Sequence, residues 1–106
     1  MRGDVYELKA PRNPRGREQT GRRYCVVVQG EDFDNLSTWL VAPTSSVIRE
    51  GSLYPRIRIG TESSTVLIPQ VTAVDPSARL GQLVGRVSLA HQQDIDRALR
   101  LILGLD

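Results

Sequence analysis

The residues best equipped for chemistry are Arg23, Glu18 and the hydroxyl pair Thr44-Ser45. Arg23 closes a polar, glycine-containing stretch, Glu18-Gln19-Thr20-Gly21-Arg22, and opens the apolar run Cys25-Val26-Val27-Val28. Valines in series are stiff at χ1 and favour a buried strand. The guanidinium therefore sits at the entrance of a rigid mount, which suits binding a phosphate and stabilising the extra negative charge of its transition state. The plainer reading is a strand-start arginine paired with a surface carboxylate, an interaction worth little.

Glu18 stands five residues before Arg23. A carboxylate there can take a proton from a ribose 2′-hydroxyl, and a neighbouring arginine tunes it. Alternatively it only neutralises basic neighbours. Thr44-Ser45-Ser46 follows Pro43, where hydroxyls can donate to phosphate oxygens, though ordinary turns favour the same residues. Trp39 can stack on a base or pack in a core, and Cys25, flanked by Tyr24 and Val26, reads as a small buried hydrophobe.

Composition narrows the classes. The chain has 106 residues, 40% hydrophobic and 25% charged, so one soluble domain over residues 1–106 is expected. One cysteine and one histidine, His91, exclude a disulfide framework and any site that needs two histidines. No metal or other cofactor is expected. Met1-Arg2 is followed by Asp4 and Glu7 rather than an apolar segment, and no apolar run approaches a membrane span, so a cytoplasmic location is expected. Residues 1–23 carry seven basic side chains against three acidic ones, although the whole chain is only +2. All but Lys9 of the 14 basic residues are arginine. A basic N-terminal lobe suggests nucleic acid, and a GC-rich genome would enrich arginine as well.

The elements that must position these groups are mostly strands. Gly3–Leu8 alternates and reads as a first strand; 10–21 holds two prolines and two glycines and reads as a long loop. Arg23–Gln29 is the second strand and Thr38–Ala42 a third, ended by Pro43. Leu53–Ile59, Thr65–Ile68 and Val71–Val74 complete the set, with Pro69 breaking the last two apart. From Ser88 the period changes to that of a helix, with Leu89, Gln92, Ile95, Leu99, Ile102 and Leu103 on one stripe and Gly104 as C-cap. Strands closed by one helix whose stripe must pack on something imply a mainly β fold with a C-terminal helix, a small β-barrel or rolled sheet.

Together these segments resemble the MazF/PemK family of bacterial toxin endoribonucleases. The resemblance is carried by Arg2-Gly3-Asp4-Val5-Tyr6, by Pro14-Arg15-Gly16-Arg17-Glu18-Gln19-Thr20-Gly21-Arg22-Arg23 with the valine strand, and by Val41-Ala42-Pro43-Thr44-Ser45. Val71-Thr72-Ala73-Val74-Asp75, Leu80-Gly81 and Val84-Gly85-Arg86-Val87-Ser88 continue it. It implies an SH3-like small β-barrel (PemK/CcdB-like), a homodimer, and a cognate antitoxin peptide as partner. It further implies metal-independent, sequence-specific cleavage of single-stranded RNA, leaving 2′,3′-cyclic phosphate and 5′-hydroxyl ends.

On this resemblance the catalytic arginine falls on Arg23, the loop glutamate on Glu18, and the catalytic hydroxyl on Thr44 or Ser45. Arg15, Arg17, Gln19, Arg22 and Gln70 become the RNA-binding set. Two departures stand out: Tyr24 where the family usually has proline, and Pro69 where it usually has an acidic residue. They motivate a rival of another class, a toxin-like barrel that binds RNA or an antitoxin peptide without cutting.

Overall fold

The structure, a computed structural model, describes residues 1–10 and 23–105. The described elements are β1 (Asp4–Leu8), β2 (Tyr24–Val27), β3 (Trp39–Ser45), β4 (Arg56–Ile59), β5 (Glu62–Val66), β6 (Thr72–Val74), α1 (Pro76–Arg79), β7 (Leu80–Arg86) and α2 (Leu89–Leu103). They form one curled antiparallel sheet in the order β4-β5-β3-β2-β1-β7, with β6 added beside β3. β4 and β7 are its two ends, so the sheet curls into a half-barrel.

The valine run makes β2 the centre of this sheet. Val26 and Val27 point to opposite faces, and neither is exposed to solvent. Val26 joins Val5, Ala42, Ile57, Val66 and Ile68 in a core capped by Ile95 and Ala98 of α2. Val27 joins Cys25, Val41, Val74 and Leu80 on the other face, where Tyr6, Leu8 and Trp39 pack against them. A strand buried on both faces needs apolar residues at every position, and this one has them. Trp39 takes the packing role: its indole N–H donates to the Asp34 carbonyl at 2.9 Å, and its ring meets Tyr6 edge-on.

Pro43 does not end the third strand, which continues to Ser45. The bond from Val28 N–H to the Leu40 carbonyl sets the alternation with β2, so Pro43 is a position where β3 owes β2 no N–H. On its other side the neighbour changes from β6 to β5, and Pro43 needs only its carbonyl, which accepts from Leu67 N–H at 2.9 Å. A proline is tolerated in a central strand when its missing donor falls at such a switch.

Other boundaries move as well. The fourth strand starts only at Arg56, because a turn from Gly51 to Tyr54 and then Pro55 precede it. The fifth is Glu62–Val66 rather than Thr65–Ile68, since Ser63, Ser64 and Thr65 complete the hairpin with β4. Pro69 does break the chain, in a 3-10 turn over Ile68–Gln70. The seventh strand and the short helix before it were not expected. Gly81 and Gly85 depress strand propensity in β7, yet Gly81 lets the strand pass close to β1, where a Cβ would lie 3.0 Å from the Glu7 side chain.

The C-terminal helix has both expected caps. The Ser88 hydroxyl accepts from His91 N–H at 3.1 Å, and Gly104 takes φ +69° while Leu105 N–H reaches the Arg100 carbonyl. An ion pair from Arg2 to Asp96, which also accepts from Gln92, ties the N-terminal segment to the helix. The stripe is a correction: only Ile95 and Ala98 are buried and Leu99 is half-buried. Leu89, Ile102 and Leu103 stay 76%, 43% and 65% exposed, because the sheet face covers only the middle turns.

Candidate functional site

The site is built where β1 ends and β2 begins. Leu8 N–H donates to the Arg23 carbonyl at 2.8 Å, so the arginine's main chain is held in the sheet while its side chain is exposed. A cleft of about 190 Å³ opens beside it, lined by Leu8, Lys9, Ala10, Arg23, Pro43, Gln70, Thr72 and Arg79. Three of these residues are cationic and none is a carboxylate. Among the described residues, Lys9, Arg23 and Arg79 make no ion pair. Unpaired like charges around one depression create a positive potential that favours an anion.

Strand alternation decides which expected groups share this face. The β2–β3 register pairs Cys25 with Pro43 and Val26 with Ala42. One step on, Thr44 falls opposite Tyr24, while Ser45 pairs with Thr65 of β5. Thr44 is 5% exposed, and its hydroxyl donates to the Tyr24 carbonyl at 3.2 Å on the core side. Ser45, one residue further, falls by alternation on the other face of the strand; it is half-buried and is not among the residues that line the cleft. Its oxygen accepts from Val47 N–H at 3.1 Å, which leaves its own proton to donate. Sequence left these two hydroxyls equivalent; the pleat separates them.

Gln70 lines the cleft from the turn at Pro69. Glu18, Arg15, Arg17, Gln19 and Arg22 lie outside the described residues. The structure adds Lys9, Thr72 and Arg79, none of which was expected. The signal for Arg79 was Asp75-Pro76-Ser77, a helix start: the Asp75 carboxylate accepts from the Ser77 N–H and hydroxyl, which hold its pKa below the usual range. That cap builds α1, whose last residue is Arg79.

Two potential nucleophiles take no part. Burial pushes the Cys25 thiol up to about 12, and no surface of the residue is exposed. Native protein at mildly alkaline pH is therefore expected to resist iodoacetamide, and denatured protein to be labelled, with mass spectrometry as the readout. His91 spends its main-chain N–H on the Ser88 cap and is not among the residues that line the Arg23 cleft. Among the described residues, no three His, Cys, Asp or Glu side chains group to hold a metal ion, and no helix is long and apolar enough to cross a membrane.

Comparison with known proteins supplies the context for this arrangement. In fold, the chain is similar to an endoribonuclease from a mycobacterial species solved with its cognate antitoxin, with TM-score 0.81, 18% identity, and 100% of this chain and 96% of that one covered. It is similar also to the Mycobacterium tuberculosis toxin MazF-mt6, with TM-score 0.76, 14% identity and 97% and 98% covered. MazF from Deinococcus radiodurans gives TM-score 0.78 at 18% identity over 98% and 96%. By sequence, the chain is 27% identical over 105 residues to Rv3098A, a candidate toxin of Mycobacterium tuberculosis, covering 99% of this chain and 98% of that protein. The model of the PemK-like, MazF-like toxins of type II toxin–antitoxin systems matches residues 1–103, and with a match running almost end to end the chain belongs to that family.

Proposed function

We propose that the protein is a sequence-specific, metal-independent endoribonuclease that cuts single-stranded RNA. The observation that carries this reading is the exposed Arg23 guanidinium, without an ion pair among the described residues, at a cleft it shares with Lys9 and Arg79. In the proposed reaction the ribose 2′-hydroxyl attacks the adjacent phosphorus and the bond to the 5′ oxygen breaks. A 2′,3′-cyclic phosphate and a 5′-hydroxyl remain. An attacking group already on the substrate replaces an activated water, and effective molarity favours it. Arg23 stabilises the charge that gathers on the phosphoryl oxygens; its pKa, above about 12, makes it a poor proton donor. Ser45 donates a hydrogen bond to the same oxygens, and Glu18 is the base. Gln70 holds the strand alongside.

One of the fold relatives is an endoribonuclease in complex with its cognate antitoxin, which supports the same kind of partner here. An antitoxin peptide would inhibit by occupying the cleft. We assign the protein to the cytoplasm and to a homodimer, the latter supported by the exposed apolar end of α2 at Leu101, Ile102, Leu103 and Leu105.

The test is incubation with a mixed RNA in excess chelator, followed by end-group analysis. Cyclic-phosphate ends are the expected result. Salt-sensitive binding without product would establish the non-cutting rival instead. The two hydroxyls give a sharper comparison. Ser45→Ala is expected to slow cleavage by about a hundredfold at unchanged melting temperature, as loss of one donor to a developing charge does. Thr44→Ala is expected to cost about 1 kcal/mol of stability, by losing the bond to the Tyr24 carbonyl, and to spare the chemistry. Measured kcat and urea midpoints for both variants check the assignment.

A further inference from the structure

We propose that Lys9 and Arg79 form a clamp for a second phosphate of the RNA backbone, beside the phosphate on which Arg23 acts. This inference rests on the endoribonuclease reading above. The two residues are far apart in sequence, and two hydrogen bonds, both made by the main chain of Lys9, lock them together. Lys9 N–H donates to the Arg79 carbonyl at 2.7 Å, and Arg79 Nε donates to the Lys9 carbonyl at 2.8 Å. The second bond uses one edge of the guanidinium and holds its plane. Its two terminal nitrogens have no protein partner among the described residues, and the residue is only half-buried in the cleft wall.

Such a group is pre-organised: it loses little rotamer freedom when an anion arrives. The Lys9 ammonium, exposed at the same rim, adds a mobile point charge. With Arg23 this makes three cations around one cleft, none of them ion-paired among the described residues, and more charge than a single phosphodiester carries. A polyanion with successive phosphates matches it. Gln70 and Thr72, which line the same cleft, add neutral donors and acceptors suited to a nucleotide.

Lys9→Gln is the clean variant, because the staple to Arg79 is made by the Lys9 main chain and survives the substitution. Arg79→Gln removes the other charge, with melting temperature as the control on folding. Binding is measured by fluorescence anisotropy of a fully 2′-O-methylated RNA, which lacks the attacking hydroxyl and stays intact, across a range of NaCl concentrations. Each variant is expected to bind about tenfold more weakly at low salt. Each should also flatten the slope of log affinity against log salt by about 0.7, the loss of one phosphate contact to a single strand. In cleavage assays the loss is expected mainly in KM, whereas substitution of Arg23 acts on kcat. Wild-type protein that cuts RNA, with both variants keeping its salt slope and KM, overturns the clamp alone. Wild-type protein that neither binds nor cuts overturns the nuclease reading and the clamp with it. Variants that bind RNA normally but lose polyglutamate would make the cleft a carboxylate site and end the proposal.

Discussion

Arg23→Ala is expected to lower kcat for RNA cleavage by at least about a hundredfold, and by as much as about a thousandfold, while the protein stays folded. The side chain is exposed and, among the described residues, has no ion pair to lose. What holds the strand is its main chain, through the bond from Leu8 N–H to the Arg23 carbonyl, and alanine keeps that bond. Circular dichroism and the melting curve should therefore be those of the wild type. Arg23→Lys is expected to recover only part of the rate. A lysine restores a point charge but not the planar fork that meets two phosphoryl oxygens at once. Single-turnover cleavage of one defined oligonucleotide gives the comparison. Full activity in Arg23→Ala would remove the nuclease assignment.

The largest effect on stability is expected at Ile95. This side chain has no exposed surface, and it joins α2 to both halves of the sheet through a cluster that includes Val5, Val26, Ile57 and Ile68. Ile95→Ala should cost about 2–5 kcal/mol, the transfer loss plus the cavity left behind. A small domain has about 5–15 kcal/mol in total, so a large share of the stability would go. Ile95→Val, which removes one methylene, should cost about 0.5–1.5 kcal/mol. Urea denaturation with a common slope measures both. By contrast Leu103→Ala, at a position 65% exposed, should leave the stability of the isolated chain almost unchanged. If Leu103 proves as costly as Ile95, the helix end is buried against a second chain, and a concentration-dependent midpoint would show it.

The gap between Ile95 and Leu103 illustrates what periodicity can and cannot say. Helical spacing marks a face that is apolar, but the extent of that face covered by neighbours depends on how wide the opposing sheet is. The caps were legible because capping is local: Ser88 and Gly104 satisfy main-chain groups within a few residues of themselves. The break at Pro69 was legible for the same reason. Pro43 misled because its effect is not local. Whether a missing N–H stops a strand depends on which neighbour would have received it, and that neighbour comes from residues 65–74. β7 was hidden by two glycines, of which Gly81 serves a close approach to Glu7 of β1.

The candidate site divides in the same way. Residue types and local order were sufficient to place Arg23 at the entrance of the second strand, to mark Val26 and Val27 as buried, and to find the C-terminal helix with both its ends. These depend on side-chain chemistry and on interactions within a few positions along the chain. The tertiary structure alone decided that the Thr44 hydroxyl turns to the core side while Ser45 falls on the other face of its strand, because a pleated strand sends successive residues to opposite faces and its register is set by the partner strand. It alone joined Lys9 to Arg79 across 70 positions, since a pairing between segments so distant is made by the curl of the sheet and leaves no pattern in either segment by itself.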